Sequence, residues 1–105
     1  MNQYLMNTYA PLPVAFARGE GAWLWDEAGK RYLDASGGAA VSCLGHSNAR
    51  VIDAIKSQLD RLAFAHTGFF SSVPAEALAE LLIQQAPGSL DRVYTVSGGS
   101  EAVEA

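Results

Sequence analysis

Hydrophobic spacing along this chain changes from a strand period to a helix period, and the change divides it. Residues 1–13 form an arm in which Pro11 and Pro13 disfavour regular structure, and Tyr4, Leu5 and Tyr9 need something to pack against. Short apolar runs then alternate with turn residues. Residues 14–18, 22–25 and 31–35 read as three strands. Gly19-Glu20-Gly21 separates the first two. Asp26-Glu27-Ala28-Gly29-Lys30 separates the last two: Asp26 suits the opening of a type I turn, and Gly29 the left-handed position that closes it. Residues 22–35 are therefore predicted to be a hairpin, with Trp23 and Trp25 on one face because strand side chains alternate.

Past residue 47 the period is helical. Val51, Ile52, Ile55, Leu59 and Leu62 line one face of a helix that Ser47 or Asn48 caps and that reaches residue 63. An aromatic loop follows at 64–72. Ser72 and Pro74 then occupy the N-cap and first turn of a second helix, 74–86, whose face is Ala77, Leu78, Leu81 and Leu82. Residues 92–96 read as a strand, and another helix starts at Ser100. Helix, strand, helix in that order predicts an α/β sheet with ligands at the carboxyl ends of its strands. The small, glycine-rich stretch 36–45 fits either a strand or close packing against another chain or a ligand. The last helix carries no stop signal, so the chain is expected to be the N-terminal piece of a longer protein.

Composition narrows the function. Half of the 105 residues are apolar and 17% are charged, which suits a globular chain. The net charge is −4, and Arg50, Lys56 and Arg61 are interleaved with Asp53 and Asp60, so no basic patch for nucleic acid is expected. The apolar runs fall short of a membrane span, and the N-terminus lacks the pattern of a secretory signal. A lone cysteine, Cys43, excludes an internal disulfide and suggests a cytoplasmic setting; it reads as a small buried residue. His46 and His66 lie twenty residues apart with one thiol nearby, so no metal-ligand spacing is present, and both read as structural histidines. Asp34 reads as a turn-end residue, and Asp53 and Asp60 as solvated helix charges.

The sharpest chemical signal is Ser97-Gly98-Gly99-Ser100-Glu101-Ala102. An apolar run, a glycine pair, a serine and a helix start aim free backbone N–H groups at an anion. The glycines permit close approach and Ser100 adds a hydroxyl donor. Alone, such a turn is equally an ordinary connection between strand and helix. No Gly-x-x-x-x-Gly-Lys-Ser/Thr loop is present, and no Gly-x-Gly-x-x-Gly opens the helix, which argues against a nucleotide-binding module.

Three ordered motifs carry a family resemblance. Arg18-Gly19-Glu20-Gly21-Ala22-Trp23-Leu24-Trp25-Asp26 followed by Gly29-Lys30-Arg31-Tyr32-Leu33-Asp34 resembles the N-terminal hairpin of class III aminotransferases. Leu44-Gly45-His46-Ser47 resembles the family's Gly-His segment before its first long helix, and 97–102 resembles its cofactor-phosphate loop. The resemblance runs from about Tyr9 to Ala105. It implies the N-terminal part of a fold type I enzyme dependent on pyridoxal 5'-phosphate: an arm, β-meander and first helix over 1–70, then the start of the large cofactor-binding α/β domain over 71–105. It implies a homodimer with its active site at the subunit interface, a small-molecule amino donor and an oxo acceptor.

Residue by residue, the resemblance places Gly98, Gly99 and Ser100 at the cofactor phosphate, although many relatives have serine where Gly98 stands. It places Ala40 where some amine-specific relatives carry a bulky aromatic, Phe69 and Ser71 in a loop that approaches the partner's cofactor, and Tyr9 in an arm that can cover the pocket. The Schiff-base lysine and the ring-binding residues lie further along in the family. Neither Lys30, in a turn, nor Lys56, on a helix's polar side, is desolvated enough to be that nucleophile. No catalytic residue is therefore assigned, and the segment alone is expected to be inactive. A mutase, racemase or decarboxylase on the same scaffold fits these residues too, and a non-catalytic module for a phosphate ligand or a protein partner is a further alternative.

Overall fold

Turn chemistry and cross-strand stacking organise the first of two units, Met1–Arg61 and Leu62–Ala105, into which the chain divides. The computed structural model describes residues 4–6 and 8–105. Strands β1 (Phe16–Glu20), β2 (Trp23–Asp26) and β3 (Arg31–Leu33) form an antiparallel sheet in that order. Strand β1 lies two residues later than the apolar run predicts. Glu20 pairs with Trp23, so the first turn narrows to Gly21 and Ala22, with Gly21 left-handed at φ 57° as a two-residue hairpin loop requires.

The second turn forms as predicted. Gly29 sits at φ 81° and donates its N–H to the Asp26 carbonyl at 3.0 Å. The Asp26 carboxylate accepts the N–H groups of Ala28 (3.0 Å) and Lys30 (2.8 Å) and the Tyr32 hydroxyl (3.0 Å). Desolvation raises the Asp26 carboxyl, but these donors and the Lys30 charge outweigh it, and the group titrates below an ordinary aspartate. Trp23 and Trp25 each take a guanidinium over the ring, from Arg31 at 4.3 Å and Arg18 at 3.6 Å.

The stretch after β3 is not a strand. Gly37–Ala40 (α1) closes a single turn with left-handed backbone, at φ 59°, 61°, 57° and 68° in order. Ala39 and Ala40 have a Cβ that makes this conformation cost about 1–2 kcal/mol per residue. Helix α2 (Ala49–Arg61) is capped by Asn48, whose Oδ1 accepts the Val51 N–H at 3.2 Å. Ser47 is left-handed (φ 55°) and its hydroxyl donates instead to the Gly19 carbonyl at 2.7 Å.

In the second unit, α3 (Val73–Gln85) starts at Ser72, in extended N-cap geometry, with Pro74 in its first turn. It ends at Ala86, extended before Pro87. Helix α4 spans Gly99–Glu104. Residues 92–96, read as a strand, lie outside regular structure. A strand exists through its ladder, and a parallel ladder in an α/β sheet needs a partner across a long crossover. Among the described residues, no side chain is fully buried.

Candidate functional site

Gly98 opens α4 in extended geometry (φ −172°, ψ 175°), a conformation open to any residue. The first helical bond runs from the Ala102 N–H to the Gly98 carbonyl at 3.1 Å. The N–H groups of Gly99, Ser100 and Glu101 therefore precede the hydrogen-bonded ladder, and no side chain caps them. A Cβ at Gly99 would meet nothing within 4 Å, and one at Gly98 would meet only the movable Glu101 carboxylate, at 2.9 Å. Neither glycine is demanded by the chain's own packing. Together they leave a cradle in front of uncapped donors, beside a groove lined by Tyr94, Thr95, Ser97 and Ser100 and by the acidic residues Glu101 and Glu104. The cradle's free N–H groups are donors an anion can use. Glu101, in the first turn, complements the positive helix end and would have to turn away from a bound anion.

The loop before α3 is built on His66. Its carbonyl accepts the N–H groups of Phe69 (3.1 Å) and Phe70 (3.0 Å), and its ring meets the Phe69 ring edge-on at 5.3 Å. Phe69 is 80% exposed. The Ser71 hydroxyl donates to Glu76 Oε1 in α3. With its proton committed there, Ser71 presents lone pairs to the recess formed by Thr67, Phe70, Tyr94 and Thr95.

In the first unit, Ala40 is held by its own backbone: its N–H donates to the Ser36 carbonyl at 3.1 Å, and its carbonyl accepts the Cys43 thiol at 3.0 Å. Cys43 is exposed, which corrects its reading as a buried residue; the left-handed turn directs the thiol to a carbonyl on the loop surface. Tyr9 is exposed in the arm. Lys30 stands over the Tyr32 ring at 4.9 Å and Lys56 is exposed on α2. Both lysines belong to the first unit, whereas Gly98, Gly99 and Ser100 belong to the second.

One pair was missed from sequence. Asp34 Oδ2 and His46 Nε2 lie 2.7 Å apart, with side chains 12% and 23% exposed. Asp34 Oδ1 also accepts the Gly37 N–H at 2.9 Å. The His46 hydrogen bond, with help from Gly37 and against desolvation, holds the Asp34 carboxyl below its ordinary range. The available signal was an aspartate at a strand end, one residue before Ser36-Gly37-Gly38, where a carboxylate can collect loop N–H groups. Among the described residues, no group of three or more His, Cys, Asp or Glu is placed to hold a metal, and no helix is long and apolar enough to cross a membrane.

A three-stranded meander, a left-handed glycine turn, two thirteen-residue helices and an uncapped helix start after a glycine pair make the N-terminal architecture of a fold type I transaminase. The family described as aminotransferase class-III matches residues 4–105, and the chain belongs to it. It is 40% identical over 104 residues to an acetylornithine aminotransferase of Methanopyrus kandleri, covering 99% of this chain and 26% of that one. It is 47% identical over 92 residues to an uncharacterized aminotransferase of Schizosaccharomyces pombe, covering 88% of this chain and 20% of that one. The structure of an omega transaminase from Pseudomonas jessenii in complex with PMP superposes with TM-score 0.88 at 35% identity, over 97% of this chain and 24% of that one. The ornithine aminotransferase of Toxoplasma gondii gives 0.84 at 34% identity. The chain thus spans about a quarter of the length of the relatives it matches.

Proposed function

We propose that this chain is the N-terminal part of a pyridoxal-phosphate-dependent aminotransferase, which moves an amino group from an amino acid or amine to a 2-oxo acid or aldehyde. The observation that carries the reading is the family match over residues 4–105 together with the open donor cradle at the start of α4. When bound, pyridoxal phosphate supplies the electron sink and carries the amino group. The chain's own part is binding and orientation. The N–H groups of Gly99 and Ser100 and the Ser100 hydroxyl hold the phosphate, and Gly98 lets it approach. Residues 71–105 form the start of the cofactor-binding domain, and 1–70 belong to the smaller one. Ala40 leaves room for the amino donor where some relatives are bulky, and Tyr9 covers that pocket.

The working form is a cytoplasmic homodimer. In it, 36–45 and 64–72 face the partner subunit, with Phe69 and Ser71 near its cofactor. What supports this is their composition: the first stretch is small and the second aromatic, and Val41, Leu44, Phe64, Phe69 and Phe70 are left exposed by this chain. The deciding experiment is Ser100→Ala in the full-length enzyme. Loss of one charge-assisted hydrogen bond costs about 1.5–3 kcal/mol, so cofactor retention on dialysis should fall by about tenfold or more. Unchanged retention removes Ser100 from the phosphate site.

A further inference from the structure

We propose that Asp34 and His46 are positioning residues that clamp the loop between them and so fix the left-handed turn presenting Ala40 to the amino donor. The inference rests on the aminotransferase reading for what Ala40 faces, but the clamp itself rests on geometry. Four consecutive residues with positive φ, two of them alanines, do not persist without neighbours that over-determine them. Within the loop, the Ser42 N–H donates to the Gly37 carbonyl at 2.8 Å and the Cys43 thiol to the Ala40 carbonyl, both local contacts that could form with the loop swung elsewhere.

The attachments to the sheet are at the two ends. The Asp34 N–H donates to the Ala22 carbonyl at 2.8 Å. His46 and Gly21 exchange a pair of backbone hydrogen bonds, at 2.7 and 3.0 Å. The carboxylate of Asp34 then ties the ends together through the His46 ring and takes the first left-handed residue by its N–H. Glycine permits this closure. A Cβ at Gly19 would lie 2.8 Å from the His46 Cβ, and one at Gly45 would lie 3.1 Å from the Gly21 carbonyl oxygen. The site therefore has a carboxylate, a histidine and two cleared approaches converging on the loop's neck, outside the phosphate cradle.

The test uses Asp34→Ala, His46→Ala and His46→Gln in the full-length holoenzyme, read by amide hydrogen exchange and by kinetics with a small and a bulky amine donor. In both alanine variants, exchange at Gly37, Ala40 and Ser42 should quicken by about tenfold or more while Leu24 and Trp25 in the sheet keep their protection. KM should rise for both donors and the discrimination between them should fall, with kcat changed less. His46→Gln, which keeps a donor within reach of Asp34, should recover most of both effects. Unchanged exchange over 36–43 in Asp34→Ala overturns the clamp. So does protection lost equally across the sheet, because the pair would then only stabilise the unit. Failure of the parent enzyme to retain pyridoxal phosphate or to transaminate would instead overturn the aminotransferase reading, and the exchange data would still decide the clamp.

Discussion

The two units differ in where their structure is decided. Met1–Arg61 is cross-linked by its own side chains over long stretches of sequence: His46 to Asp34, Ser47 to Gly19, Arg18 and Arg31 onto the tryptophans. In Leu62–Ala105 the side-chain hydrogen bonds from Ser71 to Glu76 and from Gln84 to Glu80 are local, spanning five and four residues. Its helices form, but its extended segment at 92–96 finds no ladder. Antiparallel neighbours are reached through two-residue turns, whereas a parallel strand needs partners far away in sequence. The first unit is specified by contacts within itself. The second supplies a cradle whose surroundings are non-local.

The strongest way to break this comparison is to examine the 105-residue chain by itself. With no fully buried side chain among the described residues, and with Leu78, Leu81, Leu82 and Tyr94 exposed, it lacks the apolar burial that makes unfolding cooperative. Broad, non-cooperative thermal unfolding, self-association on sedimentation and no cofactor absorbance with added pyridoxal phosphate are expected. A monomer that melts sharply would mean that the second unit is as self-sufficient as the first.

The same division explains what could be read from sequence. Asp26 and Gly29 gave the β2–β3 turn because a short stretch holds all its determinants. The α3 start was legible from Ser72 and Pro74 for that reason too. The left-handed turn at 37–40 was not, because Ala39 and Ala40 carry no preference for positive φ. Its cause is the contact of Asp34 with His46, remote in sequence. Residues 92–96 have the apolar run of a strand yet lie outside regular structure, because the pairing that makes a strand is not a local property. For the candidate site, the cradle at 98–100 stood out by spacing, whereas the proton of Ser71 and the exposure of Cys43 depend on three-dimensional placement.

Next in size is Gly38→Trp in the full-length protein, which separates backbone strain from bulk. Within this chain a Cβ at Gly38 meets only the Ser42 hydroxyl oxygen, at 3.8 Å, so there is room. Any residue other than glycine pays for φ 61°. Gly38→Ala carries that cost alone, about 1–2 kcal/mol, and should stay dimeric and active. Gly38→Trp adds an indole to a surface proposed to meet the partner, and should shift the protein to monomer and abolish activity. A dimeric, active tryptophan variant places 36–45 on an open surface.

Acid titration probes the first unit more gently. Asp26 and Asp34 both have carboxyls lowered below the ordinary value of 3.8 by the donors around them. A lowered folded value means that their contribution is present in full above the unfolded pKa and is lost as pH falls through the folded one. Protection against hydrogen exchange at Gly37 and Lys30, taken relative to the intrinsic exchange rate at each pH, should therefore hold down to about pH 4 and fall below it. In Asp34→Asn the step at Gly37 should disappear while that at Lys30 remains. An unaltered Gly37 profile would show that some other group carries its protection.

The smallest expected effect tests the strain directly. Ala40 holds φ 68° with a Cβ that the left-handed region disfavours by about 1–2 kcal/mol. Glycine removes that cost but loses more freedom on folding, by about 0.5–1 kcal/mol. Ala40→Gly should thus leave a net gain of about 0.5–1 kcal/mol, seen as a slightly higher melting temperature of the full-length protein. Because the turn is then less dependent on its anchors, the gain should persist when His46 is replaced by alanine, and the loop should lose less protection in Ala40→Gly/His46→Ala than in His46→Ala. If Ala40→Gly is instead destabilising in both backgrounds, the alanine Cβ makes a contact worth more than the strain. The turn would then be held by packing on its outer side, and the contrast between a self-determined first unit and a dependent second one would weaken at its most constrained point.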